Sequence, residues 1–224
     1  MKKIFLLVSC LLLVLSGIVF ASIVGTPHNI ASGGCVACHT PHGAVSSTNG
    51  PLWNRSQATQ TYTPYSSATL DMGPIAAGDI NAPQSIACLT CHNGVTSTVV
   101  NAPGPGTTVG SAWDSTTVAA GAALGFAGTT NTFANVGTDL SNDHPIGFVY
   151  DNTKGPAGEF ATPAAVIAAK LPLYTVGAAN NRVECATCHD VHNVAYATPT
   201  ATEVYFLRMT NVNSAMCRTC HITK

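Results

Sequence analysis

The sequence predicts a mostly irregular, loop-rich chain with short helices, little β-structure and a core built from something other than side chains. Three observations carry that expectation. Hydrophobic residues make up 46% of the 224 positions, but alanine and one N-terminal apolar run inflate the figure. Past that run, large aliphatic and aromatic residues are thinly spread, and the i, i+3, i+4 stripes of long amphipathic helices are missing. The stretch from Asn93 to Asp139 is rich in Gly, Thr, Ala and Pro, with Pro103-Gly104-Pro105-Gly106 as a clear breaker. Finally, Cys-x-x-Cys-His occurs four times, at Cys35–His39, Cys88–His92, Cys185–His189 and Cys217–His221.

Each copy predicts a short helical turn, and a further short helix is expected around Pro163–Lys170. Cys-x-x-Cys-His is the attachment motif of c-type haem. Two thiols three positions apart, close to one helical turn, meet the two vinyl groups of one porphyrin. The adjacent histidine then lies under the iron as its proximal axial ligand. Four covalently bound haem c groups are therefore expected, on Cys35 and Cys38, Cys88 and Cys91, Cys185 and Cys188, and Cys217 and Cys220. Their large apolar plates would replace the missing hydrophobic core, so the haem-free chain should be largely unfolded.

Cysteine arithmetic favours haem over zinc. Eight of the nine cysteines belong to the motifs, and the ninth, Cys10, lies in the N-terminal apolar run. Paired Cys-x-x-Cys units also build four-thiolate zinc sites, but zinc leaves the histidine after every second cysteine unexplained. Histidine is equally economical. Of eight, His39, His92, His189 and His221 are the proximal ligands, and His28, His42, His144 and His192 supply one spare imidazole per iron. The spare four are the expected distal ligands of bis-histidine, low-spin haems; the plainer reading makes each a solvent-facing or backbone-bonded side chain. Methionine is the rival sixth ligand, but Met72, Met209 and Met216 are too few for four irons. Met209 and Met216 are expected to pack as soft fillers against porphyrin faces.

The N-terminus reads as an export signal over residues 1–21. Lys2-Lys3 is a basic head, Ile4 to Phe20 an apolar run, and Val19-Phe20-Ala21 a small-residue cleavage site that leaves Ser22 first. An uncleaved anchor is the weaker reading, because no basic cluster follows to stop transfer, and Leu7-Val8-Ser9-Cys10 only superficially resembles a lipoprotein box. No other segment is apolar enough to span a bilayer, so no membrane span is expected in the mature chain. Export suits the cofactor, since haem of this type is attached outside the bacterial cytoplasm. An extracellular or outer-surface protein is expected, with the periplasm as the alternative. Without Lys2 and Lys3 the chain carries seven basic against ten acidic residues, so no basic patch invites nucleic acid. Charged residues are only 8% of the chain, which favours self-association over free diffusion.

An internal repeat divides the mature chain. The first half runs His28, Cys35-Val36-Ala37-Cys38-His39-Thr40-Pro41-His42, then Cys88–His92. The second runs His144, Cys185-Ala186-Thr187-Cys188-His189-Asp190-Val191-His192, then Cys217–His221. One tetrahaem domain over 22–224 is thus expected, built from two dihaem halves at about 22–95 and 140–224. A Gly/Thr/Pro-rich loop at about 96–139 joins them. In each extended motif the histidine three residues on lies on the same side of the porphyrin as the proximal one. His42 and His192 cannot reach around the plate, so as ligands they must bind other haems. Such short links force haems close together, as electron hopping requires. Asp190 is read either as a hydrogen-bonding partner of a ligand or as a surface residue.

These motifs, with Pro51–Arg55, Asp143–Phe148, Cys185–Asn193 and Phe206-Leu207-Arg208, resemble the doubled-CXXCH multihaem cytochromes of dissimilatory metal-reducing bacteria. The chain looks in particular like the OmcE-type tetrahaem cytochromes that polymerise into extracellular nanowires, and more distantly like the OmcS-type. The resemblance implies a loop-rich multihaem cytochrome c fold with every haem bis-histidine ligated. It also implies that one distal histidine, here His42, is donated to the neighbouring subunit, against the alternative in which His42 binds a haem of its own chain.

Two functions are weighed. One is an electron carrier and not an enzyme: a filament subunit passing electrons to other c-type cytochromes and external acceptors, or a monomeric periplasmic tetrahaem shuttle. The other is a multihaem reductase, which needs an open iron site and nearby acid–base groups. One spare histidine per haem argues against the reductase.

Overall fold

The computed structural model describes residues 23, 26, 28–29, 35, 38–39, 50–53, 55, 57, 59–96, 98–100, 117–119, 135–193 and 206–223. His42, the export signal and most of the 96–139 loop lie outside the described residues.

A 3-10 turn, Ala77–Asn81, leads through Ala82 into helix α1, Pro83–His92. Pro83 opens α1 where its missing N–H costs nothing. One face of the helix, carrying Ser85, Ile86, Leu89 and Thr90, is buried. The helix ends as the Asn93 N–H bonds the Leu89 carbonyl and Gly94 takes φ +71°. The Asn93 side chain then caps the exit, its Oδ1 accepting from the N–H groups of Val95 (3.0 Å) and Thr96 (2.9 Å).

Strands β1 (Thr98–Val100) and β2 (Thr117–Ala119) form an antiparallel pair. A second, three-stranded antiparallel sheet has the order β3–β5–β4, from Phe148–Val149, Ala179–Val183 and Tyr174–Val176. β4 and β5 are joined by Gly177-Ala178, with Gly177 at φ +60°, where a two-residue hairpin turn of this kind needs positive φ. Asn181, at φ +57°, lies where the pairing register of the two strands shifts. Helix α2 covers Pro163–Ala168, capped by the Thr162 hydroxyl accepting from the Ala165 N–H. It falls inside the segment where the sequence predicts a short helix. Helix α3 is the single turn Cys185–Cys188, and α4, Ala215–Cys220, follows a 3-10 turn at Val212–Ser214.

Two small apolar clusters hold these pieces together. Tyr62, Ile75, Ile80, Ile86, Leu89 and Leu140 form the first, and Tyr150, Ala161, Val166, Leu171 and Val183 the second. Phe148 packs against both. Met72, Met209 and Met216 pack at the edge of the second cluster. Leu140, just past the central loop, and Val136, near the end of that loop, pack with residues of the first motif half, and Leu140 N–H bonds the Thr63 carbonyl at 2.8 Å. Among the described residues no helix is long and apolar enough to cross a membrane.

Candidate haem-binding site

Each described Cys-x-x-Cys-His is one helical turn closed on its own first cysteine. The N–H groups of His39, His189 and His221 donate to the carbonyls of Cys35, Cys185 and Cys217 at 2.9, 3.1 and 3.0 Å. The second motif forms the last turn of α1. The two thiols of each motif therefore leave adjacent levels of one turn, with the histidine directly after them.

Three of these histidines are pinned a second time, by short antiparallel bridges from His39 to Trp53, His189 to Leu207 and His221 to Phe160. The bridge at His189 is flanked by Asp190 N–H to Phe206 O (2.7 Å) and Arg208 N–H to Cys188 O (2.9 Å). The bridge at His221 is flanked by Ala161 N–H to Cys220 O (3.0 Å) and Ile222 N–H to Glu159 O (2.9 Å). The bridging segments of the two extended motifs share an unusual backbone. Leu52 before Trp53 and Phe206 before Leu207 both take positive φ, +59° and +56°. Bulky residues rarely accept that conformation. The sequence repeat is thus also a repeat of local backbone.

The structure brings two spare histidines close to motif histidines. His28 lies 6.0 Å from His92 between ring centres, the planes tilted by 50°, and His192 lies 6.1 Å from His39, the planes 28° apart. Two imidazoles binding one metal ion from opposite sides, each at the roughly 2.0–2.1 Å metal–nitrogen distance of histidine ligation, have ring centres about 6 Å apart. The separation of each pair matches that spacing, so these residues could hold an iron between them. Among the described residues no three His, Cys, Asp or Glu gather as they would around a bare metal ion.

His28 is the best defined of the four. Its ring stands edge-on to Phe206 at 4.6 Å, and its buried Nδ1 has no hydrogen-bond partner. A buried imidazole nitrogen without a partner is a group that an ion or prosthetic group could satisfy. Burial, and then the neighbouring His92, His189 and His192, lower its pKa to about 4. The ring is consequently neutral at physiological pH, as a metal ligand must be. At His39, burial is the main cause of a lowered pKa.

His192 is oriented from its own motif. Asp190 accepts its backbone N–H at 3.0 Å, and a carboxylate oxygen lies 3.4 Å from its Nδ1. Arg208 holds that carboxylate at 3.0 Å and anchors itself by donating from Nε to the Ala186 carbonyl at 2.7 Å. Asp190 is thus a partner of His192 and not a bystander. Arg208 as its anchor was missed by sequence reasoning, since nothing local marks an arginine eighteen residues on. His144 is exposed, with its Nδ1 3.0 Å from the Pro145 carbonyl, and has no ring partner among the described residues.

The thiols show which motifs lie near one another. Cys91 feels Cys38, Cys88 interacts with Cys185, and Cys188 feels Cys220, while the approach of His192 to His39 sets the third motif beside the first as well. Burial pushes Cys91, Cys188 and Cys220 up to about 11, which keeps them as thiols. An open cavity of about 410 Å³, lined by Asn213, Ser214, Cys217, Arg218 and His221, lies against the fourth motif.

Sequence reasoning also missed a buried polar cluster between the second and third motifs. Ser85 on α1 donates to Glu184 Oε2 at 2.6 Å and accepts the Cys185 N–H at 3.0 Å. Arg182 donates from Nε to Glu184 Oε1 at 2.8 Å and spans to the Asp79 and Gly147 carbonyls at 2.8 and 2.7 Å. Burial raises the Glu184 pKa, while Ser85 and Arg182 pull it back. Removing one partner of such a buried charge pair costs about 3–5 kcal/mol. Its one sequence signal was a charged pair, Arg182 and Glu184, in an otherwise charge-poor chain.

No protein-family model matches the chain, and no curated protein is significantly similar to it.

Proposed function

We propose that this chain is a tetrahaem c-type cytochrome that carries single electrons along closely spaced bis-histidine haems, without acting as an enzyme. The observation that carries the reading is the pair of imidazole couples at 6.0 and 6.1 Å, each joining a motif histidine to a spare one. When bound, haem supplies a one-electron redox centre. The chain supplies the rest. Cys35 and Cys38, Cys88 and Cys91, Cys185 and Cys188, and Cys217 and Cys220 would anchor the four porphyrins through thioether bonds. His39, His92, His189 and His221 would be the proximal ligands. His192 would close the axial site opposite His39, and His28 the site opposite His92. Both axial positions filled leave no place for a substrate, which favours carriage over catalysis. The closeness of neighbouring motifs supports electron passage through the molecule.

His144 and His42 would serve the two remaining irons. The resemblance to nanowire cytochromes, the low charge density and the spare His42 favour assembly into an extracellular filament that delivers electrons to other cytochromes and external acceptors.

The test is the secreted, haem-loaded protein and its His192→Ala variant. Mass spectrometry is expected to find four haems in both. The wild-type optical spectrum should be wholly low-spin, while the variant gains one high-spin, cyanide- or carbon monoxide-binding centre. A high-spin centre already present in the wild type would point to the reductase and overturn the reading.

A further inference from the structure

The cluster of Ser85, Glu184, Arg182 and Asp79 lies where two haem-attachment turns begin. Asp79 sits in the turn that feeds α1, and α1 ends in the second motif. Arg182 is the next-to-last residue of β5 and Glu184 is the residue before Cys185, which starts the third motif. Contacts within the cluster span about a hundred residues of sequence: Ser85 to Glu184, Ser85 to Cys185, and Arg182 to Asp79. All but Asp79 are buried, with Ser85 at 0% and Glu184 at 1% exposure, so no water competes for these bonds. The bond of 2.6 Å between Ser85 and Glu184 has the short length of a charge-assisted contact. Ser85 also holds the Cys185 backbone, so one hydroxyl fixes both the carboxylate and the first residue of the third motif against α1.

We infer that Ser85 and Glu184 are positioning residues that set the separation and tilt of the second and third haems, and with them the ease of electron passage between those two. The inference rests on the tetrahaem reading above. A single electron passes between the two irons, with no bond made or broken and no proton moved. The clamp acts only on geometry. A cluster that served stability alone would have no need to join the two attachment turns themselves. An apolar contact of the same volume stabilises as well as a buried ion pair, but does not fix direction.

The experiment compares the holoprotein with its Ser85→Ala and Glu184→Gln variants, and with Val166→Ala as a control. Val166 is wholly buried in the second cluster, so its truncation destabilises without touching the clamp. The readouts are haem count by mass spectrometry, the coupled Soret signal in circular dichroism, and the rate of internal electron transfer after photochemical reduction. S85A is expected to keep four haems, lose much of the coupled signal and slow internal transfer severalfold, with E184Q moving both in the same direction. V166A should lower the melting temperature and leave both unchanged. Should S85A not accumulate, E184Q, which keeps side-chain shape, is read in its place. Wild-type coupling and rate in the clamp variants, or an equal change in V166A, would overturn the inference. Fewer than four haems in the unmutated protein would instead overturn the tetrahaem reading.

Discussion

At the residue scale the chemistry turns on how each imidazole is held. His192 is steered by Asp190, and Asp190 by Arg208, a relay of the kind that fixes ring orientation around a metal and tunes its electron density. His28 is governed by burial instead. With its pKa lowered from 6.5 to about 4, folding opposes its protonation between those two values. An iron ligand, the role proposed for His28, must be unprotonated, so the folded chain keeps this ring available at acidities where a free histidine would be charged. Sign and window follow directly. As pH falls through 6.5 the low-spin spectrum should hold, and His28 should be lost as a ligand only at or below about pH 4. An acid titration followed optically checks this, and loss of the low-spin signal with a midpoint near 6 would contradict it.

At the scale of elements, the feature that joins the second and third motifs is a close backbone approach. Gly147, at φ +80°, presents its carbonyl to Arg182 while the turn Ala77–Asn81 runs hard against it. A methyl group there would meet the Asp79 carbonyl oxygen at 3.0 Å and Ile80 Cδ1 at 3.1 Å. Both the backbone conformation and the space disfavour a side chain. Gly147→Ala is expected to cost about 1–3 kcal/mol of stability through strain and overpacking. Thermal unfolding of the holoprotein measures it; a melting temperature equal to that of the wild type would show that the turn yields freely. The same glycine belongs to the Asp143–Phe148 stretch that carries the family resemblance, and its packing gives that stretch a physical reason. Leu52 and Phe206 are the opposite case, bulky residues held at positive φ. No composition rule points to them, because what fixes them is the neighbouring bridge to the motif histidine.

For the whole molecule the main question is what the last two spare histidines do. In the proposed tetrahaem reading, with His28 set against His92 and His192 against His39, His42 and His144 would be left for the irons of the third and fourth motifs. His144 lies exposed on the chain, and His42 falls outside the described residues. The filament proposal gives His42 to the next subunit. His42→Ala should therefore abolish fibres in negative-stain microscopy while mass spectrometry still finds four haems per chain. Unchanged fibres would remove His42 from the interface. The repeat suggests two halves, but packing does not keep them apart: Leu140 and Val136 join the first cluster, Phe148 belongs to both, and the Arg182 cluster crosses between them.

The proposed cofactor chemistry rests on the sequence by itself, because thioether attachment demands a fixed local spacing and a histidine beside it, and both are written in consecutive letters. The short turns at those motifs follow from the same local geometry. Tertiary structure decided which imidazole meets which, which motifs lie side by side, and the Ser85–Glu184 bond between segments a hundred residues apart. Periodicity reports only what repeats within a few residues. A partner chosen across the fold by burial and charge leaves no such trace.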